Sequence, residues 1–101
     1  MTTIKEISPQ EVEKLLEENK DISLIDVREH DEVAQGKISK AKHIPLGEIP
    51  ERLNELPKDK EHIMICRSGG RSGKACEYMQ EQGYKVVNMT GGMLKWEGKK
   101  E

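Results

Sequence analysis

Short apolar stretches rich in branched residues alternate along this chain with helix-patterned ones, and that alternation restricts the fold more than any other feature. Ile22-Ser23-Leu24-Ile25-Asp26-Val27, Lys42-His43-Ile44-Pro45-Leu46, His62-Ile63-Met64-Ile65 and Val86-Val87-Asn88-Met89 read as strands. Ser8-Pro9-Gln10-Glu11 is a capping box with proline at the first helical position. Val12, Leu15 and Leu16 follow it at helical spacing through about Asn19. Glu29 to Gln35 reads as a short helix stopped by Gly36. Glu48 to Leu56 reads as another, with Ile49, Leu53 and Leu56 on one face and Pro50 in its first turn or later. The longest runs from about Gly70 to Gln82, with Ala75, Cys76 and Met79 inward and Gly83 as its stop. Gly91-Gly92 is a turn, and Met93 to Trp96 begins a last helical turn. Strands alternating with helices specify an α/β domain on a mostly parallel sheet, with functional residues beyond the carboxyl ends of the strands.

At 101 residues the chain is expected to form one domain, with a core over about 4–97 and a tail, 98–101, whose end is expected to fray. The apolar fraction is 34% and phenylalanine is absent, so the core must be small and built from Ile, Val, Leu and Met. Seventeen basic residues against nineteen acidic leave a net charge of -2, which argues against nucleic acid or a membrane surface as the partner. No stretch is long and apolar enough to span a bilayer, and Met1 to Glu6 lacks the basic and apolar regions of a secretory signal. A cytoplasmic location is the expectation, and there Cys66 and Cys76 are expected as free thiols.

The chemistry points to the run Cys66-Arg67-Ser68-Gly69-Gly70-Arg71-Ser72, set between an apolar strand and a helix. A Gly-rich loop opening a helix directs free backbone N–H groups outward, where they attract negative charge. A thiolate is an anion, so this setting lowers the pKa of Cys66 and activates it as a nucleophile. Gly69 and Gly70 permit the curl, the N–H groups of Arg67 to Ser72 form the cradle, and Arg71 is the candidate side-chain anion contact, with Arg67 at the rim. Asp26 and Arg28 are supports: Asp26 accepts N–H bonds at a strand end, and Arg28 pairs with a carboxylate such as Glu32. Cys76 sits among apolar helix positions and reads as core, and Trp96 reads as a core cap. His30, His43 and His62 have no metal-ligand spacing, so no metal is expected.

Taken in order, Ser8-Pro9 before a helix, Leu24-Ile25-Asp26-Val27-Arg28, Glu32, Gly36-Lys37-Ile38, Ala41, Ile44-Pro45-Leu46, the Cys66–Ser72 loop, Gly83-Tyr84, Gly91-Gly92 and Trp96 resemble the rhodanese-like sulfurtransferases over nearly the whole chain. Lys37, Ser39-Lys40, His43 and Val33 depart from that pattern, all outside the active loop. The resemblance implies a rhodanese-like fold, a central parallel five-stranded sheet with helices on both faces. It also implies sulfur transfer: the thiolate takes the outer sulfur of thiosulfate or another persulfide donor, holds it as a persulfide, and yields it to cyanide, a thiol or a sulfur-relay protein, with no cofactor. Four residues separate Cys66 from Arg71, one fewer than in the Cys-dependent phosphatases this family resembles. The shorter loop fits one sulfur atom better than a phosphoryl group. A phosphatase or arsenate reductase and a sulfur carrier or interaction module are the alternatives.

Overall fold

The structure is a computed structural model that describes residues 3–101. Five strands, β1 (Lys5–Ile7), β2 (Ser23–Asp26), β3 (Lys42–His43), β4 (Glu61–Ile65) and β5 (Lys85–Met89), form one sheet in the order β1-β5-β4-β2-β3. Every neighbouring pair is parallel. Among the described residues four α-helices accompany them: α1 (Pro9–Glu17), α2 (His30–Val33), α3 (Ile49–Arg52) and α4 (Gly70–Glu81).

A parallel sheet needs both faces covered, and the two-residue period of its strands supplies two apolar faces. Ile25, Met64 and Val86 belong to one buried cluster with Ile49 of α3 and Ala75, Cys76 and Met79 of α4. Their strand neighbours Leu24, Ile63, Ile65, Val87 and Met89 join the opposite cluster with Val12 of α1, Met93 and Trp96. The helices therefore lie on both faces, as the family resemblance implies.

Local signals set the helix ends. Ser8 accepts from the Glu11 amide while Glu11 accepts from the Ser8 amide, so the capping box is complete. The segment read as one helix over Glu48 to Leu56 is broken into a 3-10 turn (Leu46–Glu48), α3 and a second 3-10 turn (Leu53–Glu55), with Pro50 in the first turn of α3. Pro45 has no N–H to offer a ladder, and the short strand expected to be ended by Pro45 is confined to Lys42–His43. β1 had no apolar run to betray it: Lys5 and Glu6 are exposed at the sheet edge, and only pairing with β5 makes them a strand. The carboxyl end is not frayed. Lys37 and Glu101 exchange both backbone hydrogen bonds, at 3.0 and 2.8 Å, and the Trp96 indole donates to the Lys99 carbonyl at 3.1 Å.

From β2 the chain turns outward to β3, whereas from β4 it turns the opposite way to β5. The carboxyl ends of the adjacent β2 and β4 therefore face a crevice that no crossover fills, the place where parallel α/β sheets carry their sites. Asp26 lies opposite Ile65 in this register, so the segments after each, Val27 to Glu29 and Cys66 to Ser72, emerge side by side.

Candidate active site

Cys66 leaves the end of β4 and α4 begins four residues later, with Gly69 as the residue before it. Gly69 has a φ of +107°, a left-handed value that costs a residue with a Cβ, and it turns the loop back over the sulfur. The Gly69 N–H donates to Cys66 Sγ at 2.9 Å, and the Ser72 hydroxyl lies 3.3 Å from the same atom. The amides of Ser72 and Ser68 also point at it.

The orientation of these amides is held from behind. Met93 N–H donates to the Cys66 carbonyl at 2.9 Å and Leu94 N–H to the Arg67 carbonyl at 3.0 Å. In a trans peptide the C=O and N–H point in opposite directions, so fixing the Arg67 carbonyl outward aims the Ser68 N–H inward, at the sulfur. This close approach requires Gly92: a Cβ there would stand 2.5 Å from the Cys66 oxygen and from the Arg67 carbonyl carbon and oxygen. The Gly91-Gly92 turn read from the sequence is thus the rear clamp of the Cys66 loop.

Cys66 is only 1% exposed, so protein donors rather than water must stabilise its anion. Burial raises the thiol, but the Ser72 hydroxyl and the amides of Ser72, Gly69 and Ser68 together outweigh it, and the net shift is downward.

The charged residues are distributed differently from the expectation. The sequence offers Arg71 as the anion contact, yet both terminal nitrogens of its guanidinium pair with Glu32, at 2.6 and 2.7 Å. The hydrogen bonds from Arg71 hold Glu32 down at about 2 against the opposing effect of burial, and Glu32 in turn raises Arg71. Arg71 still acts on the thiolate through its field rather than by contact. Arg28, expected to pair with a carboxylate such as Glu32, does pair with one, but with Asp26, gripped through Nε and Nη2 at 2.8 to 3.1 Å, and it donates to the Gly36 carbonyl at 2.8 Å. Asp26 also accepts the Arg28 amide. Two ion pairs, one buried and one half-buried, thereby fix the β2 side of the crevice. The reason is reach: Arg28 is buried against its own strand end, while Arg71 rises from the first turn of α4 toward α2.

Arg67 and Ser68 are exposed at the rim, and Gly70 opens the helix. Among the described residues no group of three or more His, Cys, Asp or Glu is placed to hold a metal ion. The three histidines have other partners: His43 Nε2 meets the Arg28 carbonyl at 2.6 Å, His62 lies between Ser23 and Pro57, and His30 stacks edge-on against His43. Sequence reasoning did not single out Asn88. Its Nδ2 donates to the Gly69 carbonyl at 3.1 Å and its Oδ1 lies 2.5 Å from Ser72 Oγ. A polar residue inside the otherwise apolar Val86–Met89 strand was the available signal.

A parallel α/β domain that closes a curled glycine loop of amides over a strand-end thiol defines a class of cysteine-loop proteins. The chain belongs to the family of the rhodanese-like domain, whose model matches residues 8–99. It is 53% identical over 95 residues to the Bacillus subtilis protein named "Putative sulfurtransferase YtwF", covering 94% of this chain and 92% of that one. It is 40% identical to a sulfurtransferase of Allochromatium vinosum, covering 92% and 88%. Among solved structures, a rhodanese-like domain protein from Staphylococcus aureus superposes with a TM-score of 0.89 at 39% identity, covering 92% of this chain and 91% of that one.

Proposed function

We propose that this protein is a sulfurtransferase that carries sulfane sulfur as a persulfide on Cys66. The Cys66 thiolate attacks the outer sulfur of thiosulfate. The S–S bond of the donor breaks with its electron pair on the departing sulfite, and a negatively charged persulfide remains on the protein. Cyanide, a thiol or a relay protein then attacks that outer sulfur and regenerates the thiolate, so total charge is conserved in both halves and the kinetics are ping-pong. The persulfide of another molecule serves equally as donor.

The observation that carries this reading is the convergence of the Gly69 N–H, at 2.9 Å, with the Ser68 and Ser72 amides on a single sulfur atom. Such a ring is prearranged for an anion centred on sulfur and needs no reorganisation when the charge appears. A loop with four residues between Cys66 and Arg71 leaves a cradle for one atom. Asp26 and Arg28 serve by anchoring the neighbouring β2 segment, and Arg67 meets the anionic donor at the rim. Incubation with thiosulfate in the absence of reductant should add one sulfur atom to the intact mass. Cyanide should remove it with release of thiocyanate. No adduct on the reduced protein, or an adduct that persists in Cys66→Ser, would overturn the reading.

A further inference from the structure

Ser72 has one hydroxyl proton and three acceptors within reach: Cys66 Sγ at 3.3 Å, the Gly69 carbonyl at 3.2 Å and Asn88 Oδ1 at 2.5 Å. It can donate to only one of them at a time. The shortest contact is with Asn88, and its geometry is not interchangeable. Asn88 Nδ2 donates to the Gly69 carbonyl at 3.1 Å, so turning the amide over would set its oxygen against that carbonyl. Asn88 therefore presents an acceptor, not a donor, to Ser72. The same amide touches the two residues that supply the sulfur's nearest donors, Gly69 and Ser72.

We propose that Asn88 is a positioning residue that competes with Cys66 for the Ser72 hydroxyl proton. With a neutral thiol the hydroxyl donates to Asn88 Oδ1. When the sulfur becomes an anion, as thiolate or persulfide, the O–H rotates and the bond to Oδ1 is replaced by one to sulfur, because a charged acceptor binds the proton more strongly than a neutral amide. No proton leaves Ser72; only the direction of its bond changes. Asn88 thus sets how much of the Ser72 donor the anion receives, while its other arm holds the Gly69 carbonyl. Among the other charged and titratable groups, Arg71 with its partner Glu32 and the second thiol Cys76 on α4 interact with Cys66 through their charge, Arg67 is exposed at the rim, and the Asp26–Arg28 pair closes the end of β2. Substitutions at Ser72 and Asn88 leave all of them in place.

The test reads thiol acidity directly, so it stands apart from whether the protein transfers sulfur. The pH dependence of iodoacetamide alkylation, followed at the Cys66 peptide, is measured for wild type, Ser72→Ala, Asn88→Ala, Asn88→Asp and the two double variants. A double-mutant cycle separates the path through Ser72 from the path through Gly69. Asn88→Ala removes the competitor. Its effect on the midpoint should be more acidifying with Ser72 present than in the Ser72→Ala background, by about threefold or more in thiolate fraction. Asn88→Asp installs a stronger competitor, and its coupling to Ser72 should have the opposite sign, raising the midpoint more when the hydroxyl is there. Equal effects in both backgrounds, or couplings of the same sign for Asn88→Ala and Asn88→Asp, would overturn the proposal. Asn88→Asp keeps the size of the side chain, so it decides the matter even if the Asn88→Ala variant fails to fold.

Discussion

Cys66 and Cys76 are ten residues apart in one strand–loop–helix unit, both buried and both in the same apolar cluster, yet their acidities move in opposite directions. Burial pushes each thiol up, because an anion loses its water. At Cys76 nothing opposes this, the nearby Cys66 and Glu77 add to it, and the thiol is raised to about 12. At Cys66 three amides and a hydroxyl reverse it. What separates the acidified thiol from the raised one is therefore not depth but whether backbone donors face the sulfur. Inside α4 the amides around position 76 are committed to the helix ladder, whereas those of the loop and first turn have no such partners and are free to turn inward.

The contrast is most easily broken by removing one thiol at a time. Cys66→Ser should abolish the thiosulfate adduct and reduce turnover to background, whereas Cys76→Ala should still acquire one sulfur atom; intact-mass measurement distinguishes them, and an adduct that depends on Cys76 would reverse the assignment. The rear clamp comes next. Gly92→Ala places a methyl 2.5 Å from the Cys66 and Arg67 backbone at a φ of +55°, and should cost on the order of 3 kcal/mol of stability, seen as a lowered urea midpoint. Variants that still fold should have a less acidic Cys66. Ser72→Ala is smaller and sharper. It removes one donor to the anion, so the acid limb of the rate profile should move up by about 1 pH unit, about a tenfold loss at the low-pH end, with little change above the midpoint. An unmoved acid limb would mean that the amides alone set the acidity.

Glu32→Gln should give the smallest effect. The Glu32 carboxyl is lowered from 4.5 to about 2 by Arg71, so the stabilisation from this pair is present above pH 4.5 and lost as the pH falls toward 2. The pair is partly exposed, so the loss at neutral pH should be about 1 kcal/mol or less. The stability difference between Glu32→Gln and wild type, from denaturant titrations, should shrink across that acid window; a constant difference would place the role of Glu32 elsewhere.

The parallel α/β architecture and the position of the strand-end thiol were readable from the chain because both rest on near-neighbour patterns. Alternating Ile, Val, Leu and Met mark the inner strands, the Ser8–Glu11 box starts α1, and a cysteine before Gly69-Gly70 announces a strand-to-helix loop. These signals act over a few residues, where backbone geometry alone decides. Partnerships across the fold were not readable. Arg71 and Glu32 are 39 residues apart, Ser72 and Asn88 are 16 apart, and Lys37 and Glu101 meet only when the sheet is closed. A charged or polar side chain binds whatever partner lies within about 3 Å, and that distance is set by how strands and helices stack, not by spacing along the chain. Residue order thus determined that a thiol would stand at the mouth of a parallel sheet. Packing decided which groups surround it, because hydrogen bonds and ion pairs form only between groups that the folded backbone brings together.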